Sequence, residues 1–116
     1  MTIQRLHVGT RMSEAVIHNG VVYLAGQVAE DPALDVGGQT RQVLAAIDRL
    51  LAEAGSDRTR ILQAQVFLAD IGDFAAMNAV WDAWVPAGYT PARATVEARL
   101  AAPQYRVEIK VIAAQA

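Results

Sequence analysis

The chain has 116 residues, the size of one domain, with 53% hydrophobic residues, 19% charged residues and a formal net charge of -2. Charges interrupt it too often for a membrane span of about 20 apolar residues, and Met1 to Arg5 lack the basic run and apolar stretch of a signal peptide, so a cytoplasmic location is expected. With no cysteine, disulfides, Cys–zinc sites and thiol nucleophiles are excluded, and the negative balance disfavours broad binding to nucleic acid or an anionic membrane surface.

Ile3 to Val8 reads as a first strand. Glu14 to His18 and Val21 to Ala25 read as two more, joined at Asn19-Gly20, the residue pair that suits a type I′ hairpin turn. Gly26 to Gly38 is a loop rich in Asp, Pro and Gly. From about Gln39 to Ala54, Val43, Leu44, Ile47, Leu50, Leu51 and Ala54 recur at helical spacing, and Gly55 supplies the stop. Ile61 to Ala69 is a strand with Leu62, Ala64, Val66 and Leu68 expected on one face. Asp70 is placed to cap a second helix, with Asp73 as the acidic end of a capping box. That helix carries an apolar stripe of Phe74, Met77, Val80, Trp81 and Trp84, and Pro86 and Gly88 end it.

Two alternating strands close the chain. In one, Ala92, Ala94, Val96 and Ala98 oppose Arg93, Thr95, Glu97 and Arg99. In the other, Tyr105, Val107, Ile109, Val111 and Ala113 oppose Arg106, Glu108 and Lys110. The order ββ(β)αβαββ predicts an α+β two-layer sandwich, with a six-stranded mixed sheet and both helices on one face. The other face is then expected to carry Gln63, Gln65, Arg93, Thr95, Arg106, Glu108 and Lys110. Such a face, in a chain with an apolar surplus, suits a subunit interface containing charged pockets.

Several segments together resemble one family over nearly the whole chain. Val22-Tyr23-Leu24-Ala25-Gly26-Gln27 is similar to the "SGQ" strand of the RidA (YjgF-type) family of reactive intermediate deaminases. Val66 to Asn78 looks like its strand-to-helix stretch. Pro91-Ala92-Arg93-Ala94-Thr95-Val96 and Val107-Glu108-Ile109 resemble its C-terminal signature. Arg11-Met12-Ser13 and Trp81-Asp82-Ala83-Trp84 suggest the YoaB-like branch. The resemblance implies a chorismate-mutase-like subunit, assembled as a homotrimer around a central barrel, with clefts between subunits. It implies hydrolysis of 2-imino or 2-enamino acids to 2-keto acids and ammonia without a cofactor. At the positions of Arg93 and Glu108 the family holds the substrate carboxylate and the attacking water. Backbone groups near Gly26 and Thr95 complete the pocket. Met12 stands where archetypal members have a Tyr that shapes the pocket, Ala25 replaces the Ser of "SGQ", and Thr95 replaces a frequent Cys.

The residue chemistry agrees with that pattern. A guanidinium grips a carboxylate with two prongs, as Lys cannot. A carboxylate can take a proton from water as general base. The thioether of Met12 cannot donate a hydrogen bond, so a carboxylate-binding cleft is better supported than any one reaction, and a non-catalytic binding or sensing module for small carboxylates is the second reading. A ribonuclease reading is disfavoured by the net charge. His7 and His18 stand alone without metal-ligand spacing, so no metal site is expected. Ser13 and Thr95 have no adjacent base. Trp81 and Trp84 follow the helical stripe and read as core.

Overall fold

The alternating and helical patterns resolve into regular elements in a computed structural model that describes residues 2–116. Three strands come first: β1 (Gln4–Val8), β2 (Ser13–His18) and β3 (Val21–Leu24). The β2–β3 turn has positive φ at both Asn19 (53°) and Gly20 (74°), as a type I′ turn requires. A two-residue strand, β4 (Gln27–Val28), follows within the Asp/Pro/Gly-rich loop and makes a seventh strand. Then come α1 (Val36–Glu53), β5 (Ile61–Leu68), α2 (Phe74–Trp84), β6 (Ala92–Glu97) and β7 (Val107–Ala114). The sheet order is β1-β2-β3-β7-β5-β6, with β4 also paired to β7. All pairings are antiparallel except β5 with β6, which α2 connects as a parallel crossover.

The helices cover one face, giving the two-layer α+β arrangement expected from the pattern. Val43, Leu44, Ile47 and Leu51 of α1 meet Val107, Ile109, Val111 and Ala113 of β7 and Ala64, Val66 and Leu68 of β5 in one buried cluster. Gln39 is the polar exception in this layer. It is fully buried, donates to the carbonyls of Pro32, Leu34 and Gln104, and accepts from the Arg106 N–H at 2.8 Å. It ties the loop before α1 to the segment entering β7.

Local chemistry moves several boundaries. The first helix begins at Val36, before Gln39, because the Asp35 carboxylate accepts from Gly38 N–H at 2.8 Å as an N-cap. Asp70 caps a single 3-10 turn, Ile71–Asp73, by accepting from Gly72 N–H. Asp73 makes no capping bond and instead pairs with Arg106 at 2.8 Å, so the Asp70/Asp73 capping box does not form. In β5 a register shift between Ile61 and Gln63 turns Leu62 out of the core. Leu62 is 52% exposed, while Ile61 is 5%. A bulge adds one residue to a strand and inverts the alternation before it.

The largest correction concerns β6. Its parallel register pairs Ala64 with Arg93, Val66 with Thr95, and Leu68 with Glu97. Partners in a ladder share a face, so Arg93 and Thr95 lie on the helix-covered side with Ala64 and Val66. Ala92, Ala94 and Val96 face the open side instead. Glu108 pairs with Phe67 and does lie on the open face, as expected. Arg93 and Glu108 therefore project from opposite faces of the sheet.

Candidate active site

Arg93 sits mid-strand on β6, the edge strand, with its side chain turned toward α2. The α2 residues Phe74, Met77 and Trp81 fall at i, i+3 and i+7, which places them on one helical stripe. The Arg93 guanidinium carbon lies 5.1 Å from the Trp81 ring centroid and 5.9 Å from that of Phe74. Its Nη1 lies 4.0 Å from Met77 Sδ. The ion pairs among the described residues are His7–Glu53, Arg58–Asp48 and Arg106–Asp73, and Arg93 is in none of them. This is a partly buried cation resting on aromatic faces, with its in-plane N–H edge uncommitted to any acid.

Two unpartnered polar atoms occur on the same two elements. Thr95 Oγ1, two residues along β6 on the Arg93 side, is buried without a hydrogen bond. So is Asn78 Oδ1, on α2 next to Met77. Buried polar atoms are nearly always paired, so these two are exceptions on the elements that carry Arg93 and its aromatic support. Asn78 was not among the residues singled out from the sequence. The available signal was an amide at i+4 from Phe74, a polar residue on an otherwise apolar stripe.

Glu108 belongs to a second cluster. It lies on the open face of β7, beside the bend between β3 and β4. Ala25 N–H bonds Glu14 O at 2.9 Å, and the buried Gln27 amide donates to Glu14 Oε2 and to Ala25 O, which fixes that bend. Gly26 sits in it directly against Glu108. A β-carbon at position 26 would collide with Glu108 Oε2 and crowd its Cδ. Gly26 thus makes room for the Glu108 carboxylate, a steric role beyond the backbone role that the resemblance implied.

Met12 is in neither cluster. It is 50% exposed in the turn between β1 and β2, where its carbonyl accepts from Gly9 N–H at 2.8 Å. From β2 to β6 the sheet spans four inter-strand steps, about 19 Å. One copy of the chain therefore divides the five expected residues among three places: Arg93 with Thr95, Glu108 with Gly26, and Met12. A concavity of about 710 Å³ where the segment from Glu97 to Pro103 curls back on Ala69 and Tyr105 contains none of them.

Comparison with known proteins gives this arrangement its setting. Residues 2–115 match the family model described as Endoribonuclease L-PSP. The chain is 51% identical over 114 residues to the RutC family protein YoaB of Escherichia coli K12, covering 98% of this chain and 99% of that protein. It is 38% identical over 109 residues to 2-iminobutanoate/2-iminopropanoate deaminase of Capra hircus, covering 89% and 79%. Among solved structures it resembles NMB1025 of Neisseria meningitidis, a member of the YjgF protein family, with a TM-score of 0.98, 53% identity, and coverage of 100% and 97%. The chain belongs to the Ribonuc_L-PSP (YjgF/RutC) family.

Proposed function

We propose that this protein hydrolyses 2-imino acids to 2-keto acids and ammonia in clefts between the subunits of a homotrimer. The observation that carries the reading is Arg93, a partly buried guanidinium with aromatic support and no acidic partner. The name of the mammalian deaminase relatives supports the reaction class. The opposed directions of Arg93 and Glu108 support the assembly, because one copy cannot bring both to a single small substrate.

In this reading the substrate carboxylate takes the two-pronged edge of Arg93. Glu108 from a neighbouring copy accepts a proton from water as its oxygen attacks the imine carbon. The carboxyl passes that proton to the imine nitrogen to give the carbinolamine; a second proton then moves from its hydroxyl to the nitrogen by way of the same carboxylate, and ammonia leaves as the keto group forms. The imine carbon is already electrophilic, so orientation and proton transfers through one carboxylate suffice and no cofactor is needed.

The test generates imino acids with an amino-acid oxidase and follows their loss with and without the protein. Acceleration over spontaneous decay that disappears in Arg93→Ala supports the proposal; decay at the free rate overturns it. Met12, a thioether where archetypal members carry a phenol, favours the second reading, in which small carboxylates bind without turnover. Calorimetry showing saturable 2-keto acid binding while the imine assay stays flat would select it.

A further inference from the structure

We propose that Trp81, assisted by Phe74, is a positioning residue that holds the Arg93 guanidinium in place without neutralising it. The inference rests on reading Arg93 as the carboxylate receptor, and it names what makes that arginine a receptor. A guanidinium has two separable binding surfaces. Its flat faces stack on aromatic rings, and its in-plane N–H edge grips carboxylates. The guanidinium carbon lies over the Trp81 ring at 5.1 Å and over the Phe74 ring at 5.9 Å, close enough for the rings to support it. The rings therefore restrict the side chain while no acid occupies its N–H edge, where Nη1 meets only the Met77 sulfur at 4.0 Å. An acidic partner would restrict it too, but an incoming carboxylate would then have to displace that acid.

Trp81 is itself held firmly. It is 5% exposed, and its ring lies 5.4 Å from that of Trp84 at an interplanar angle of 49°. The Trp84 indole N–H donates to Asp48 Oδ2 at 3.0 Å. The ring under Arg93 thus has a fixed neighbour on α2, which α1 anchors in turn. Holding the guanidinium in the bound orientation before ligand arrives reduces the ordering cost of binding.

Two replacements separate a π face from mere bulk. Trp81→Phe keeps an aromatic face; Trp81→Leu keeps apolar bulk and loses it. In the ligand-free protein, the Arg93 Nε–H resonance, assigned by its absence in Arg93→Lys, should show a ring-current displacement. That displacement should survive largely in Trp81→Phe and collapse in Trp81→Leu. With pyruvate as the probe carboxylate, calorimetry should give about tenfold weaker binding for Trp81→Leu and no more than about threefold for Trp81→Phe. In the imine assay KM should rise while kcat holds. Phe74→Leu, at a position 42% exposed, supplies a milder variant whose folding does not depend on a buried indole. It should weaken pyruvate binding about twofold to threefold.

An Arg93 resonance with no ring-current displacement in the wild type overturns the proposal. So does a folded Trp81→Leu, or Phe74→Leu where that variant alone folds, with wild-type pyruvate affinity. If pyruvate fails to bind the wild-type protein, the carboxylate reading of Arg93 falls, while the resonance still decides whether Trp81 holds the guanidinium.

Discussion

An arginine is stacked on a tryptophan twice in this molecule. Arg58, in the 3-10 turn Arg58–Arg60 before β5, lies with its guanidinium carbon 5.0 Å from the Trp84 ring. Its Nε and Nη2 donate to both carboxylate oxygens of Asp48, at 3.1 and 2.6 Å, and its Nη1 donates to Trp84 O at 3.0 Å. Every edge of that guanidinium is used. Arg93 likewise lies over Trp81, but its other contacts are the Phe74 ring and a thioether sulfur, neither of them an acid. The two rings touch each other, so the same aromatic pair supports a satisfied cation on one side and an unsatisfied one on the other. Aromatic support alone does not separate the two arginines; the counter-ion, present at Arg58 and missing at Arg93, does.

The comparison predicts different consequences for the two arginines. If Arg93 grips the substrate carboxylate as proposed, replacing it by Ala should remove two charge-assisted hydrogen bonds, worth about 2–4 kcal/mol together, or roughly 30- to 1,000-fold in kcat/KM. Its melting temperature should stay within a few degrees of wild type, because no internal ion pair is lost. A melting loss as large as that of the Asp48 variant below, with activity retained, would erase the distinction.

Gly26→Ala tests the other half of the site. The new methyl collides with the movable end of Glu108, so the carboxylate swings away and the backbone stays. If Glu108 handles the attacking water, kcat should fall about 10- to 100-fold while pyruvate affinity, which reports on Arg93, changes little. Equal losses in affinity and kcat would show that Gly26 and Arg93 act on the same group.

Asp48→Ala should register in stability. It strips Arg58 of its acid and Trp84 of its acceptor in one step. Because Arg58 and Asp48 side chains are 40% and 32% exposed, solvent screens part of the loss, and about 1–2 kcal/mol is expected. For a domain of this size that lowers the melting temperature by roughly 4–8 °C. Imine hydrolysis per folded molecule should fall far less than in Arg93→Ala. A reversal of these two rankings would mean that the roles of the two arginines have been exchanged.

Much of this was legible from residues alone, and the exception is instructive. The alternation in β7 correctly assigned Val107, Ile109, Val111 and Ala113 to the core and Glu108 to the open face. The same reasoning applied to β6 gave the right pairing of residues but the wrong side. Alternation says which residues share a face; it does not say which face meets the helices. In β6 the polar set looks inward because α2 offers aromatic surface that accepts a guanidinium, while small alanines and Val96 look out from an edge strand. The parallel register with β5 decides this, and register between strands separated by a helix is a tertiary property. The bulge at Ile61/Gln63 is similarly silent, since no Gly or Pro marks it. The helical stripe places Trp81 in the core, and Trp81 is buried there, yet its ring also supports the Arg93 cation.

The smallest expected effect concerns the turn that presents Arg58. Asp57 caps it, accepting from the Thr59 N–H at 2.8 Å and from the Thr59 hydroxyl. The hydroxyl bond first, then the backbone bond, holds the Asp57 carboxyl below its ordinary value of 3.8. A carboxyl whose folded pKa is depressed contributes stability above its unfolded pKa and loses it as pH falls through the lower folded value. Asp57 is fully exposed, so the contribution is slight. Asp57→Asn keeps an acceptor but removes the charge. The wild type should melt slightly above this variant near neutral pH, and the gap should begin to narrow as the pH falls below about 3.8 and close as it passes the lower folded value. A gap unchanged across that range would mean that the charge of Asp57 has no part in holding the turn. Affinity for pyruvate should not follow the gap, because Asp57 orders the turn around the arginine that is already satisfied.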